Sequence, residues 1–328
     1  MVIREILYPT DFSESARYAG HYATMIARKL DATLHILHVP YVPFPPYPEV
    51  RTGLSCEPFL RAAQEKALAG LHQLLEEGEY RGLNARTTMA TGLIQEEILK
   101  AAQTSDLIVM GTHGRTGLPH IMLGSVTEKV IGVAPCSVLA VKYPPLKREV
   151  PWTGEAQEQA KVQRSPRLLN ILIPLDGSTL SECALRDTKA LARSFEAVAT
   201  LLLVMSPSLM LNEEPLFEVR GNARVEAEQY LRATRRALEA EGLMVEVVFR
   251  AGDAATEILD YADERDIDLI AMATHGRSGL RRWLLGSVAN KVLRTTDVPV
   301  LLSRAWLPSR EPGRASEVQP ARVESMSR

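Results

Sequence analysis

Short apolar runs alternate along the chain with longer stretches in which apolar residues recur at helical spacing. The runs at 106–110 and 268–272 are continuous, brief and bounded by turn-forming residues, which predicts buried strands. Ala16, Ala19 and Ala23, by contrast, recur at intervals typical of one face of a helix. Apolar strands separated by helices are typical of parallel sheets covered on both faces. The pattern therefore predicts an α/β fold.

The same elements are predicted in the same order in both halves of the chain. The predicted strands are 6–9, 33–39, 84–89, 106–110 and 137–141 in the first half, and 171–174, 200–205, 245–250, 268–272 and 298–302 in the second. The predicted helices are one after Ser13, then 57–79, 94–102 and 125–131, and in the second half 184–191, 215–241, 255–266 and one after Gly286. Each half therefore has five strands, and Ser13 is the expected N-cap of the first helix.

A glycine-rich sequence follows the fourth predicted strand of each half. The first copy is Gly111-Thr112-His113-Gly114-Arg115 with Gly124-Ser125-Val126, and the second is Ala273-Thr274-His275-Gly276-Arg277 with Gly286-Ser287-Val288. The copies lie 162 residues apart, and Asp11 and Asp176, after the first strand of each half, lie 165 apart. Such spacing indicates a duplicated domain. We expect domain 1 at 1–143, a linker at 144–167, domain 2 at 168–304 and a disordered tail at 305–328.

The glycine-rich sequences have the composition of a phosphate-binding loop. A glycine before a helix leaves the first amide groups free to bind an anion, and the helix dipole adds partial positive charge there. Gly111, Gly114 and Gly117 permit positive φ and a close approach of the backbone to a ligand. A plain glycine-rich turn is the alternative, and the second copy with its identical internal spacing makes that alternative weaker.

Side chains near these loops suggest further contacts, each with a simpler alternative. If the first and fourth strands are neighbours, Asp11 meets the glycine-rich loop across one crevice, where it could bind ribose; its alternative role is a helix cap. His113 could act as acid, base or metal ligand, but a loop residue with a backbone hydrogen bond is the favoured interpretation. Arg115 is placed either to reach a phosphate or to face solvent.

Composition narrows the class of protein. The 328 residues suffice for about two domains, and the net charge of −2 argues against a nucleic-acid or anionic-membrane partner. No apolar stretch reaches the length needed to span a bilayer. Three cysteines without paired spacing support neither a disulfide framework nor a zinc site, so we expect a cytoplasmic protein and no metal centre. The proline-rich loop at 40–58 is either a lid or a disordered segment.

Both halves resemble the universal stress protein domain, whose nucleotide-binding members carry G-x2-G-x9-G-[S/T] after the fourth strand. Gly111, Gly114, Gly124 and Ser125 match this pattern fully. The resemblance covers nearly the whole chain except the linker, the proline-rich loop and the tail. The chain is therefore similar to a tandem universal stress protein.

The resemblance implies two Rossmann-like (adenine nucleotide alpha hydrolase-like) domains, each a five-stranded parallel sheet of order 3-2-1-4-5 with helices on both faces. It implies ATP, with or without Mg²⁺, in the crevice, pairing of the fifth strands between the halves, and a homodimer. Asp11 would hold ribose, and Val39 would flank adenine. The expected binding residues are Pro9, Thr10, Asp11, Val39, Gly111, Thr112, His113, Gly114, Arg115, Gly124, Ser125 and Val126, and in the second copy Asp176, Val204, Gly276, Arg277, Gly286, Ser287 and Val288.

The second copy departs from the pattern at two positions. Ala273 replaces the first glycine, and its methyl group is expected to narrow the site. Ala289 replaces Thr127, which removes a hydroxyl that could contact phosphate. Arg281 and Arg282 could offset these losses or face water.

Three classes of function remain. The first is an ATP-dependent regulatory module in stress responses; the others are a slow ATPase or related adenine-nucleotide enzyme, and a scaffold with vestigial crevices. The sequence has no Walker loop, and dinucleotide binding would place the glycines after the first strand instead of the fourth. Because no general base is evident, we do not predict an enzyme.

Overall fold

A computed structural model describes residues 2–41, 57–113, 123–143, 166–205, 217–274 and 285–304. The linker and the proline-rich loop lie almost wholly outside the described residues, and the tail lies wholly outside them. The predicted site residues Gly114, Arg115, Gly276 and Arg277 also lie outside them.

The described residues form strands and helices in the predicted order. The strands are β1 (Glu5–Pro9), β2 (Thr33–His38), β3 (Ala85–Met89), β4 (Leu107–Gly111), β5 (Ser137–Val141), β6 (Asn170–Leu175), β7 (Val198–Met205), β8 (Met244–Ala251), β9 (Leu269–Ala273) and β10 (Val300–Ser303). The helices are α1 (Glu14–Leu30), α2 (Glu57–Glu76), α3 (Ile94–Ala102), α4 (Ser125–Val133), α5 (Cys183–Phe195), α6 (Phe217–Ala240), α7 (Ala254–Glu264) and α8 (Ser287–Thr295).

All ten strands belong to one sheet. Their order is β3-β2-β1-β4-β5-β10-β9-β6-β7-β8, so each half has the order 3-2-1-4-5. Pairing is parallel within each half, whereas β5 and β10 are antiparallel, with Leu139 opposite Leu301. The predicted strand order and the predicted pairing of the fifth strands are both confirmed. The two halves consequently direct the carboxyl ends of their strands toward opposite edges of the sheet.

Successive side chains along each strand point to opposite faces of the sheet, and this alternation divides the core into two layers. On β1, Ile6 and Tyr8 pack into a layer with α1, α2, α5 and α6, while Leu7 packs into the opposite layer with α3, α4, α7 and α8. Both faces of the sheet are therefore covered by helices, which explains why most strand residues are apolar.

The first helix of each half begins differently. Ser13 caps α1 as predicted, since its hydroxyl accepts a hydrogen bond from the amide of Ala16. α1 begins three residues after Asp11, whereas α5 begins seven residues after Asp176, following a turn. The helix predicted at 57–79 also differs, because α2 ends at Glu76 and a 3₁₀ turn follows at Gly78–Tyr80.

Among the described residues, no helix is both long and apolar enough to cross a bilayer. Cys136 is buried and Cys183 is half-buried, and within the described part of the chain neither forms a disulfide.

Candidate functional site

The strand order of each half reverses beside its first strand. β1 pairs with β2 on one side and with β4 on the other, and β6 lies likewise between β7 and β9. Such a reversal leaves a crevice at the carboxyl ends of the strands. A cavity lies at this point in both halves.

The first crevice has a volume of about 180 Å³. It is lined by Pro9, Thr10, Asp11, Ala16, Leu37, Val39, Ile94, Ile98, Met110, Gly111, His113, Gly124, Ser125, Val126 and Thr127. The structure thus brings together the predicted residues of the first copy that it describes, with one exception. Thr112 is buried beside the crevice, and its amide bonds the carbonyl oxygen of Val141 at 2.9 Å.

One end of the first crevice is formed by the N-terminus of α4. Gly124 is the N-cap residue, and because it has no side chain, no side-chain hydrogen bond satisfies the first amide groups of the helix. The amide of Gly124 itself bonds the carbonyl oxygen of Thr112 at 2.8 Å. Amide groups and the helix dipole therefore make this end favourable for an anion.

The two described glycines of the first loop are needed for close packing. Neither Gly111 nor Gly124 has a positive φ, so the expectation of a left-handed conformation is wrong at Gly111. A Cβ atom at Gly124 would lie 2.9 Å from the carbonyl oxygen of Thr112, and one at Gly111 would lie 3.0 Å from the carbonyl oxygen of Ser15. Side chains are excluded because the backbone at Gly111 approaches α1 closely and the backbone at Gly124 approaches Thr112 closely.

Thr127 has a structural contact instead of the phosphate contact considered from the sequence. Its side chain is 3% exposed, and its hydroxyl donates to the carbonyl oxygen of Gly111 at 2.9 Å. This hydrogen bond connects α4 to the end of β4, and it uses the only proton that the Thr127 hydroxyl can donate.

Asp11 lines the crevice and does not cap α1, a role that Ser13 fills. The Asp11 carboxylate oxygen Oδ1 accepts hydrogen bonds from the amide of Ser13 at 3.0 Å and from its hydroxyl at 2.6 Å. The turn before α1 therefore holds this carboxylate at the wall of the crevice. Burial raises the pKa of Tyr8 beneath the same turn, and its hydroxyl lies 2.8 Å from the carbonyl oxygen of Ala16.

Part of the crevice wall is apolar. Val39, Ile98 and Met110 belong to one buried layer, with Ile94 packed against it. Sequence reasoning assigned only Val39 to the site. The helical spacing of Ile94 and Ile98 at the start of α3 was the available signal, but it indicates a buried face without showing which cavity that face borders.

His113 also lines the first crevice. Its Nδ1 atom and the Thr112 hydroxyl are 2.9 Å apart, so this contact of the imidazole is with a side chain, whereas a backbone hydrogen bond was expected. Within the described ranges, no group of three or more His, Cys, Asp and Glu side chains is placed to hold a metal ion.

The second crevice repeats this arrangement with a larger volume, about 320 Å³. It is lined by Pro174, Leu175, Asp176, Ser181, Leu202, Val204, Ala254, Ile258, Met272, Ala273, Thr274, Gly286, Ser287, Val288 and Ala289. Asp176 accepts from the amide and hydroxyl of Ser178 at 2.9 and 2.6 Å, as Asp11 does from Ser13. Gly286 is likewise an N-cap without a side-chain hydrogen bond.

The expected narrowing of the second crevice by Ala273 is wrong. The added Cβ at the equivalent Gly111 would point at Ser15, on the first turn of α1, and not into open space. In the second half α5 begins later, and a turn at 179–182 stands in place of the first turn of the helix. The second cavity is the larger of the two although Ala273 lines it, so the methyl group does not block it.

The family model for the universal stress protein family matches residues 3–142 and 168–304. A universal stress protein of Methanocaldococcus jannaschii is 38% identical over 135 residues, covering 40% of this chain and 79% of that protein. One of Synechocystis is 23% identical over 325 residues, covering 92% of this chain and 100% of that protein. The crystal structure of a universal stress protein from Archaeoglobus fulgidus aligns with a TM-score of 0.68 at 21% identity, covering 92% of this chain and 98% of that one. The last two relatives span both halves.

Proposed function

The chain belongs to the universal stress protein family, and we propose that it binds ATP in its crevices as a regulatory module of the stress response. The observation that carries the proposal is the lining of the first crevice. An uncapped helix N-terminus, a carboxylate held by a turn, and an apolar wall border one cavity, and these are features that suit phosphate, ribose and base.

Each part of the nucleotide has a matching part of the crevice. The amide groups at Ser125 and Val126 would bind phosphate oxygens, and the Asp11 carboxylate would accept hydrogen bonds from ribose hydroxyls. Val39 would lie along the base with Ile98 and Met110. In the second crevice, Ser287, Asp176 and Val204 hold the corresponding positions.

Mg²⁺ carried by the triphosphate would take its ligands mainly from phosphate oxygens and water. Among the described residues that line the first crevice, Asp11 is the only acidic side chain. We therefore propose that the protein binds the nucleotide without hydrolysing it. Measuring phosphate release from ATP in the same samples distinguishes binding alone from slow hydrolysis.

Cellular location and oligomeric state are also part of the proposed function. We propose a cytoplasmic homodimer whose partner contacts depend on nucleotide occupancy, with domain 1 at 1–143 and domain 2 at 168–304. Supporting this, the edge strands β3 and β8 each have one neighbour in the sheet, which leaves backbone groups available for a partner.

Aspartate at the first residue of α4 and α8 tests the sites while preserving the fold. Ser125 is exposed, and an acidic residue at a helix N-terminus stabilises the helix by about 0.3–1 kcal/mol. The same negative charge would repel phosphate. We expect Ser125→Asp with Ser287→Asp to weaken ATP binding at least about tenfold in calorimetry.

Asparagine supplies the matched control, because Ser125→Asn with Ser287→Asn has nearly the same shape as the aspartate variant without its charge. ATP binding should persist in that protein. An aspartate double variant that is folded and binds ATP as tightly as the unchanged chain would contradict the proposal.

A further inference from the structure

The two crevices differ at five paired lining positions. The pairs are Thr10 and Leu175, Ala16 and Ser181, Ile94 and Ala254, Gly111 and Ala273, and Thr127 and Ala289. In three of them the second crevice has the larger side chain. Its volume is nevertheless larger, about 320 Å³ against about 180 Å³.

Local contacts account for most of these differences. The Thr127 hydroxyl is bonded to Gly111, whose missing side chain makes room for Ser15. The Thr10 hydroxyl accepts from the amide of Phe12 at 3.1 Å, and the Ser181 hydroxyl donates to the carbonyl oxygen of Ser178 at 2.8 Å. These side chains maintain turns and helix ends around the crevices.

Ile94 and Ala254 differ in another way. They are the first residues of α3 and α7, so they occupy the same place in the two halves. Their apolar neighbours are retained, since Ile98 and Met110 correspond to Ile258 and Met272. The second crevice therefore has a methyl group where the first has a sec-butyl group in the apolar wall.

The surroundings of this wall also become more polar. Ile94 is preceded by Leu93, which is 58% exposed, whereas Ala254 is preceded by Asp253. The Asp253 carboxylate lies 2.8 Å from the Lys291 ammonium, and both side chains are more than half exposed. The gap beside Ala254 is thus close to charged, solvent-accessible groups.

We propose that the second crevice accepts adenine nucleotides with a bulky group on the purine ring, which the first crevice excludes, and that Ile94 and Ala254 set this difference. This inference rests on the proposed function, because it assumes that the base lies against the apolar wall. In the first crevice the added group would collide with Ile94, and overpacking an apolar pocket is unfavourable. In the second it would occupy the gap beside Ala254.

The test uses N6-benzyl-ATP and 8-benzylamino-ATP, which extend different edges of the purine, with ATP measured in parallel. Ser125→Asp confines binding to the second crevice of the full chain, and Ser287→Asp confines it to the first. We expect at least one analogue to bind the second crevice within about threefold of ATP, and the first at least about tenfold more weakly.

Exchanging the two residues should exchange the selectivity. Adding Ile94→Ala to the Ser287→Asp protein should admit the analogue to the first crevice. Adding Ala254→Ile to the Ser125→Asp protein should weaken binding of the analogue at least about tenfold more than it weakens binding of ATP, and this difference separates selectivity from damage to the fold.

The outcomes distinguish this inference from the proposed function. If ATP binds both single-site proteins and each analogue binds the two crevices equally well, only the inference is overturned. Selectivity that the exchange leaves unchanged also overturns only the inference. ATP binding confined to the first crevice, with neither analogue entering the second, also overturns it. Absence of ATP binding from both proteins overturns the proposed function and the inference together.

Discussion

Gly111 and Ala273 occupy the same position at the ends of β4 and β9, opposite Val141 and Ser303 in the neighbouring strands. Their difference accompanies a difference in the next helix, which begins three residues after Asp11 in the first half and seven after Asp176 in the second. In the first half, the backbone of Ser15 approaches so closely that a Cβ atom at 111 would lie 3.0 Å from its carbonyl oxygen. A glycine in a binding motif can therefore be required by packing.

Replacing Gly111 by alanine should consequently destabilise the protein. We expect Gly111→Ala to lower the free energy of unfolding by about 1–3 kcal/mol, because the new methyl group overpacks the start of α1. Urea denaturation measures the change. Gly78→Ala is the control, since a Cβ atom there meets nothing within 4 Å. Equal denaturation midpoints for the two variants would show that α1 moves aside without loss.

At the scale of elements, ionic contacts join α1 to the segment directly after α2, which includes the 3₁₀ turn at Gly78–Tyr80. Arg17 and Glu77 are 2.6 Å apart, His21 contacts Glu79, and the Arg28 guanidinium donates to the carbonyl oxygen of Glu79 at 2.8 Å. The hydrogen bond to Glu79 raises the pKa of His21. The side chain of His21 is 44% exposed, so solvent screens the interaction and limits its contribution.

The contact between His21 and Glu79 makes the attachment of the segment after α2 to α1 dependent on pH. Because the folded pKa of His21 is raised, its stabilising effect is complete below the unfolded value of about 6.5 and is lost as pH rises through the folded pKa. Glu79→Gln should therefore lower the free energy of unfolding more at about pH 5.5 than at about pH 9, by no more than about 1 kcal/mol. Glu76→Gln, an exposed change of the same charge nearby, should show a smaller pH dependence. Indistinguishable pH profiles for the two variants would refute the role of His21.

At the scale of the whole molecule, the two halves share a sheet and a buried polar contact. The Ser137 hydroxyl on β5 donates to the Asp187 carboxylate on α5 at 2.5 Å, and Asp187 is 2% exposed. Arg186 lies beside the same carboxylate at 2.8 Å, and this hydrogen bond raises the pKa of Arg186. The ammonium of Lys142 reaches Asp297 at 3.0 Å across the same boundary.

Removing the hydroxyl of Ser137 should weaken the joining of the halves. We expect Ser137→Ala to lower the free energy of unfolding by about 1–3 kcal/mol, because the buried carboxylate loses a donor. Ser303→Ala is a matched control on β10, since in the described part of the chain the buried Ser303 hydroxyl has no hydrogen-bond partner. That variant should be neutral or stabilising. Equal losses in both variants, measured by thermal unfolding, would argue against the contact with Asp187.

The sequence by itself determined the elements and their repetition. The helix predicted at 94–102 is α3, Ser13 is the N-cap of α1, and the strand order implied by the family resemblance is the order of the sheet. Apolar periodicity and capping depend on residues close in the chain, so a sequence contains the information that they require. The binding role of the site residues stays a prediction.

Only the tertiary structure decided which side chains meet at the crevices. Ile94 borders the first cavity because α3 packs against β1 and α4, and Thr127 bonds Gly111 because α4 returns to β4. The later start of α5 relative to α1 was also visible only in the structure. These facts depend on where helix ends lie relative to strands far away in the chain, and no local spacing of residues encodes such distances.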